Sequence, residues 1–461
     1  MSERIFPPIL LFSVSACFPV ILAVTYVYFL SSSELEVSSS VSAQLTPPPS
    51  SDFLELAKDP LVALPLSEKR LAQKRSPQTL EEYAEVLSAL KRHSEAVSLR
   101  TEALSLRSAK TMSVTDLVMA YSHIAQELQG ARRYDEALGT ITLARKAAGA
   151  FITPSVDAVL IFIESALLDC KGDAMLALIA FEAAEGKAGI TANRYRRSDE
   201  DTLRYLDLVK KVIDLHPPPG PAKALRARAR ELTHSLIAKG PWDSPWQLPR
   251  EYVPGLRSAP WYDVATSPWP STRQAVSILE AAPLGQLQEE YRSLAAKGHL
   301  LDETECIHTG EGYGTWRWFA TNGYWTVRDE SGCAVVSPVA CGIVRQIERD
   351  VGLRVRRAGY SAIDKKAYLR PHHGWTNTQL KFHLGVIVPS GCMSNLTVGN
   401  ETRHWEEGKV LFFDDSFQHS VRHACDQVRV IFQVVFTHPD FKDHKVADST
   451  KREALQRHAT H

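Results

Sequence analysis

Two histidines and an arginine near the C-terminal end have the types and the order of an iron centre fed by a keto acid. His372 stands in PHHGWTNTQLKFHLGVIVP, His419 in WEEGKVLFFDDSFQHS, and Arg429 in the apolar run VRVIFQVVF. Imidazole suits divalent iron, and such oxygenases commonly pair two histidines with a carboxylate, leaving the other positions for co-substrate and oxygen. An arginine inside an apolar strand is costly unless an anion meets it. The far carboxylate of a keto acid is such an anion, and the guanidinium fork can hold it through two hydrogen bonds. The usual carboxylate ligand is missing, because Gly374 stands two residues beyond His372, and His373 points away from whatever His372 faces. Asp414 and Asp415 are the acids nearest to His419. An Asp-Asp-Ser ahead of a strand reads as a turn bonded to its own backbone rather than as a metal ligand.

These residues need strands to aim them, and the β-branched and aromatic content from residue 315 to about residue 441 predicts an all-β core with a few helices, such as residues 284–297. A jelly-roll-like barrel then places the two imidazoles on two strands and the guanidinium on a third. Upstream, from about residue 77 to 216, the apolar spacing is helical and Ala-centred phrases recur. Ala96 and Ala103, Ala137 and Ala144, and Ala177 and Ala184 occupy matching places, as small residues must where helices of tetratricopeptide-like repeats pack closely. An ordinary helical bundle is the competing reading. Arg226, Arg228 and Arg230 read as a solvated helix face, and Trp242, Trp246 and Trp261, set among prolines, read as structural plugs.

A chain of 461 residues is too long for one ordinary core. Its formal net charge of +0 gives no electrostatic argument for nucleic acid or for an anionic membrane surface. Residues 9–30 are uncharged and mostly apolar, long enough to span a ~30 Å hydrocarbon core, with Pro19 as a kink. A membrane anchor is the expectation and a cleaved signal peptide the alternative. With Arg4 before the span, the short N-terminus is read as cytoplasmic and everything beyond as lumenal, in a single-pass protein of the endoplasmic reticulum or another secretory membrane. The Ser/Pro-rich stretch after the span reads as a stalk. In such a lumen Cys333 and Cys341, which bracket a short loop, suit a disulfide, with two buried thiols as the alternative. Asn395 and Asn400 match the glycosylation acceptor.

The segment 246–441 resembles the catalytic domain of the aspartyl/asparaginyl β-hydroxylases, through GLRSAPWYD, PHHGWTN, FHLGVIVP, GNETRHWEEGKVLFFDDSFQHSV and RVIFQVVFTHPDF. The resemblance implies a double-stranded β-helix (jelly-roll, cupin-like) oxygenase that uses iron(II), 2-oxoglutarate and O2. Iron is held there by two histidines and no carboxylate, so Gly374 agrees with the pattern. Carried over, His372 and His419 hold iron, Arg429 clamps 2-oxoglutarate, Ser361 and His383 assist, and Trp316 lines the site. Lys381, counted with the residues that bind 2-oxoglutarate, stands where the family usually has arginine, and Gln418 where it usually has glutamate. The implied reaction hydroxylates the β-carbon of Asp or Asn in epidermal-growth-factor-like domains. A lipid acyl chain is the alternative substrate, and a membrane-tethered scaffold without turnover the alternative class. The expected division is a cytoplasmic tail (1–8), an anchor (9–30), a stalk (31–76), tetratricopeptide-like helices (77–240), the oxygenase domain (241–445) and a polar tail (446–461).

Overall fold

The computed structural model describes residues 60–107, 112–188, 199–215, 222–302, 316–322 and 330–441. The expected anchor, the first part of the stalk and the polar tail lie outside the described residues. Among the described residues no helix is long and apolar enough to cross a membrane.

The N-terminal half is helical: α1 (Pro60–Gln73), α2 (Pro77–Ala89), α3 (His93–Leu106), α4 (Val114–Gly130), α5 (Tyr134–Ala148), α6 (Pro154–Lys171), α7 (Ala174–Ala188), α8 (Asp199–Leu215) and α9 (Ala222–Lys239). Local chemistry starts several of them. Ser76 caps α2 with Pro77 at its first position, Ser113 caps α4, and Thr153 caps α6 with Pro154 behind it. Left-handed backbone recurs at Lys91, Arg132 and Gly172, which turn α2 into α3, α4 into α5 and α6 into α7. All six alanines read as helix contacts, Ala96, Ala103, Ala137, Ala144, Ala177 and Ala184, are 0 % exposed. The helices therefore meet through recurring small residues, as the sequence led us to expect.

The last part of the segment read as a stalk is helical. Residues 60–73 are helical because Ala63 and Leu64 pack against Val86 and Leu90 of α2, which gives this segment apolar surface to bury. The boundary at 240/241 also moves. Trp242 and Leu248 belong to the core of α7–α9, with Phe181, Val209 and Leu236. Gln247, between them, donates from Nε2 to Ser416 Oγ at 2.8 Å and to Asp414 Oδ2 at 3.2 Å, deep in the C-terminal half. Trp242 and Trp261 are buried as plugs, whereas the Trp246 ring is 46 % exposed. Trp246 is held by its backbone, whose carbonyl accepts from Gln418 N–H.

The C-terminal half adds α10 (Pro270–Glu280), α11 (Leu284–Ala296), α12 (Glu330–Val336) and α13 (Pro338–Gln346) to strands β1 (Leu301–Asp302), β2 (Trp316–Asn322), β3 (Val355–Ile363), β4 (Ala367–His372), β5 (Gln379–Ile387), β6 (Ser394–Val398), β7 (Glu401–His404), β8 (Val410–Phe413), β9 (His419–His423) and β10 (Arg429–Thr437). They form a six-stranded sheet, β1-β2-β3-β10-β5-β8, and a four-stranded sheet, β4-β9-β6-β7, with every named pairing antiparallel. From β3 onward the chain passes back and forth between the sheets, which is the winding of a jelly roll.

The larger sheet is buried on both faces, and period-2 alternation divides its residues. Val430, Phe432, Val434 and Phe436 of β10, with Phe382 and Leu384 of β5, pack against α10, α11 and α13. Ile431 of β10, Ile363 of β3 and Phe413 of β8 face the smaller sheet instead, meeting Leu369, Leu396 and Val421. Glu290 of α11 ties the helical layer to the sheet. It accepts from the first backbone N–H groups of α13, at Val339 and Ala340, and from the Tyr360 hydroxyl at 2.8 Å.

In the helical half, a Cβ added to Gly130 would stand 2.6 Å from the His93 ring, which is pinned by its 2.8 Å contact with Glu127. Helix propensity favours alanine by ~0.5–1 kcal/mol, but forcing a rigid ring aside costs ~1–3 kcal/mol. Gly130→Ala should therefore lower stability by about 1 kcal/mol or more in urea unfolding. A stabilised variant would show that the ring yields freely.

Candidate active site

Pairing of β4 with β9 sets His372 opposite His419, with ring centroids 4.1 Å apart. The register slips between Leu369 and His372, where Pro371 cannot donate to the ladder. This bulge turns His372 toward the interior that Leu369 also faces. Each ring is locked by the same local device. Nδ1–H of His372 donates to the Arg370 carbonyl at 2.7 Å, and Nδ1–H of His419 to the Phe417 carbonyl at 2.9 Å. A carbonyl only accepts, so both imidazoles keep their lone pair on Nε2. Burial pushes both rings' pKa down, with the neighbouring Lys381 ammonium adding to it. They are neutral, the form that ligates metal.

The same alternation that faces Ile431 inward also faces Arg429 and Gln433 inward on β10, Lys381 and His383 on β5, and Ser361 on β3. Arg429 is 2 % exposed, its guanidinium lies 4.4 Å from the centre of the Trp405 ring, and its Nε has no hydrogen-bond partner. Burial pushes it down to about 9, with no acid among the described residues close enough to oppose the shift. His383 donates from Nε2 to Gln433 Oε1 at 3.1 Å, which leaves its buried Nδ1 without a partner. Ser361 Oγ accepts from Trp316 Nε1 at 2.9 Å. A run of ring contacts joins the two ends of the site: His419 to Phe413 at 6.2 Å, Phe413 to His383 at 4.8 Å, and His383 to Trp405 at 6.2 Å. The imidazole pair and the guanidinium thus line one interior.

Lys381 and the two aspartates divide differently from the sequence reading. The Lys381 ammonium sits 2.7 Å from Asp415 Oδ2, an ion pair where a direct contact to co-substrate was expected. Asp415 also occupies the place a third ligand would take. Gly374 N–H donates to the Asp415 carbonyl at 2.6 Å, and a Cβ on Gly374 would lie 2.4 Å from Asp415 Oδ2. Glycine at 374 is required by that close approach. Asp414 behaves as a turn residue, accepting from Ser416 N–H at 2.9 Å and Ser416 Oγ at 2.6 Å. Among the described residues no group of three His, Cys, Asp or Glu residues could hold a metal ion. The two imidazoles face each other across the β4–β9 pairing.

Sequence reasoning missed Trp405, Gln433 and the Lys381–Asp415 pair. Gln433 was within reach, because period-2 counting from Arg429 puts it on the same face. Trp405 lies between β7 and β8, and nothing local signals that its ring meets a guanidinium. Cys333 and Cys341 are joined, and a second disulfide, unforeseen, joins Cys392 to Cys425. Asn400 is exposed at the β6–β7 turn, whereas Asn395 is half-buried in β6 with its side-chain oxygen shielded.

Burial, and then the neighbouring Asp415, push Asp414 from 3.8 up to about 8. The folded protein holds a proton there that the unfolded chain releases. The associated stability is therefore complete below about 3.8 and is lost as pH rises through about 8. Asp414→Asn, neutral at every pH, should flatten the decline of the denaturation midpoint between those limits. An unchanged slope would place the titration elsewhere.

Residues 283–439 match the family model described as aspartyl/asparaginyl beta-hydroxylase. An aspartyl/asparaginyl beta-hydroxylase of Mus musculus is 32% identical over 213 residues, covering 46% of this chain and 27% of that protein. Its Homo sapiens counterpart is 31% identical over 217 residues, covering 46% and 26%. An ornithine lipid ester-linked acyl 2-hydroxylase of Rhizobium tropici is 28% identical over 185 residues, covering 40% of this chain and 62% of that protein. The chain spans about a quarter of the length of the two mammalian relatives it matches. The matched stretch holds His372, His419, the buried guanidinium of Arg429 and Gly374. Through residues 283–439, the chain is similar to the aspartyl/asparaginyl β-hydroxylase family.

Proposed function

We propose that the protein is an iron(II)- and 2-oxoglutarate-dependent dioxygenase that hydroxylates the β-carbon of Asp or Asn in a polypeptide, acting in the lumen of a secretory membrane. The observation that carries this reading is Arg429, a fully buried guanidinium with no acid beside it, on the same interior as two imidazoles whose Nε2 atoms are free. Such a cation demands an anionic ligand. Iron(II) bound with 2-oxoglutarate would supply the oxidising chemistry, one atom of O2 passing into succinate as carbon dioxide is lost and the other into the hydroxylated substrate.

The protein's own residues bind, orient and exclude water. His372 and His419 would hold the metal through Nε2, each ring fixed by its bond to the backbone carbonyl two residues upstream. Arg429 takes the distal carboxylate of 2-oxoglutarate, with Trp405 beneath the guanidinium plane. Ser361 Oγ accepts from Trp316 and keeps its own hydrogen to donate to the same ligand, beside the His383 ring. Lys381 holds the Asp415 carboxylate in place beside Gly374. Resemblance to the mammalian relatives supports a polypeptide substrate, with epidermal-growth-factor-like domains as the class. The likeness to an acyl 2-hydroxylase keeps a lipid chain as the rival.

His372→Ala and His419→Ala should each abolish iron binding and coupled succinate release, and Arg429→Gln should raise the 2-oxoglutarate requirement by about a hundredfold, the order of losing a buried charged pair. Mass spectrometry of a disulfide-rich peptide, with an ornithine lipid as the parallel substrate, should show one added oxygen on the peptide alone. Oxygen added only to the lipid would overturn the polypeptide assignment.

Gly374→Asp would create the missing carboxylate in sequence, yet its Cβ would stand on the Asp415 side chain. We expect weaker iron binding and a lower unfolding temperature, measured by titration and calorimetry. Tighter iron binding would show that Asp415 vacates the position readily.

A further inference from the structure

The strand that carries His372 is poorly held by its own sheet. β4 pairs with β9 through Leu369 and then through His372, so Arg370 and Pro371 have no partner in that ladder. Yet Arg370 provides the carbonyl that fixes the His372 ring, at 2.7 Å. That backbone must be restrained by something other than the sheet.

The restraint comes from the helical half. The Arg370 side chain is buried, and its Nη1 lies 3.5 Å from Asp169 Oδ1 in the last turn of α6. A Cβ built on Gly172, the left-handed residue that ends α6, would lie 3.6 Å from Arg370 Nη2. The guanidinium therefore rests against a helix C-terminus, where the macrodipole favours a cation. Asp169 is itself fixed from the other side, because Lys211 Nζ of α8 lies 2.7 Å from Asp169 Oδ2 and 2.8 Å from Asp207 Oδ2. Arg370 and Lys211 balance Asp169 and Asp207, in a four-charge cluster shared by α6, α8 and β4.

We propose that Asp169 is a positioning residue for the metal centre: by gripping Arg370 it fixes the carbonyl that orients His372, so the helical half sets the metal geometry of the barrel. This rests on the reading of His372 and His419 as metal ligands. Groups that orient a ligating imidazole typically contribute about 10–100-fold to metal affinity, and Asp169 acts one step further out, through the Arg370 backbone.

The test uses the full chain with Co(II) as probe, reading affinity and the visible ligand-field spectrum beside the unfolding temperature. Asp169→Asn should weaken Co(II) binding about tenfold and shift the spectrum. Asp169→Glu, which keeps the carboxylate, should recover most of both. Glu136→Gln, a change at an exposed acid of α5, should do neither. Unaltered affinity and spectrum in Asp169→Asn would overturn the proposal while the wild type still binds Co(II). Should Asp169→Asn fail to fold, Arg370→Lys gives the same reading: weaker binding supports the coupling and unchanged binding overturns it. A wild-type chain that binds no Co(II), or whose binding survives His372→Ala, would overturn the two-histidine reading itself.

Discussion

Burying a guanidinium without a counter-charge is among the most expensive things a fold can do, and the C-terminal barrel is arranged around one. Arg429 sits on a strand whose outward residues, Val430, Phe432, Val434 and Phe436, seal the sheet against three helices. Its inward neighbours give it a tryptophan face and no carboxylate. Acids are nearby in the same interior, but each is committed elsewhere: Asp415 to Lys381, and Asp414 to Ser416 and Gln247. Those commitments leave the cation of Arg429 for a ligand. They also explain a lysine at 381, since an ammonium meets one carboxylate oxygen as a point charge without the planar fork of arginine.

The imidazole pair obeys a second economy. Two rings 4.1 Å apart would repel if both were charged, and burial keeps both neutral. Each is oriented by a carbonyl two residues upstream, so the pair needs no acidic partner of its own. Backbone acceptors orient the two rings without placing a carboxylate on either Nδ1, and the nearby Asp415 carboxylate is matched by the Lys381 ammonium.

Much of this was legible in the chain, for reasons that differ by element. The strands announced themselves through alternation, the recurring alanines through their spacing, and the metal-site residues through a family pattern long enough to be specific. What stayed hidden depends on contacts between distant segments. Asp415 and Lys381 are both visible as charges, but only the close approach of Gly374 to the Asp415 turn shows why one carboxylate fills the place of another. Cys392 and Cys425 are separated by 33 positions, and no local loop marks them as partners. The helix at Pro60–Gln73 was masked by Pro65 and by the polar segment ahead of it.

The segment around Trp242 and Gln247 has a bearing on how this chain can be divided. Trp242 completes the core of the last helices, while Gln247, a few residues on, is bonded into the turn that precedes His419. A cut before Trp242 strips an indole from the helical core, and a cut after Gln247 strips the barrel of a buried amide that steadies Asp414 and Ser416. Neither half keeps a finished interior. Helices and barrel are therefore better regarded as one cooperative unit than as beads on a string, and damage to a helix far from the imidazole pair would be felt inside the barrel.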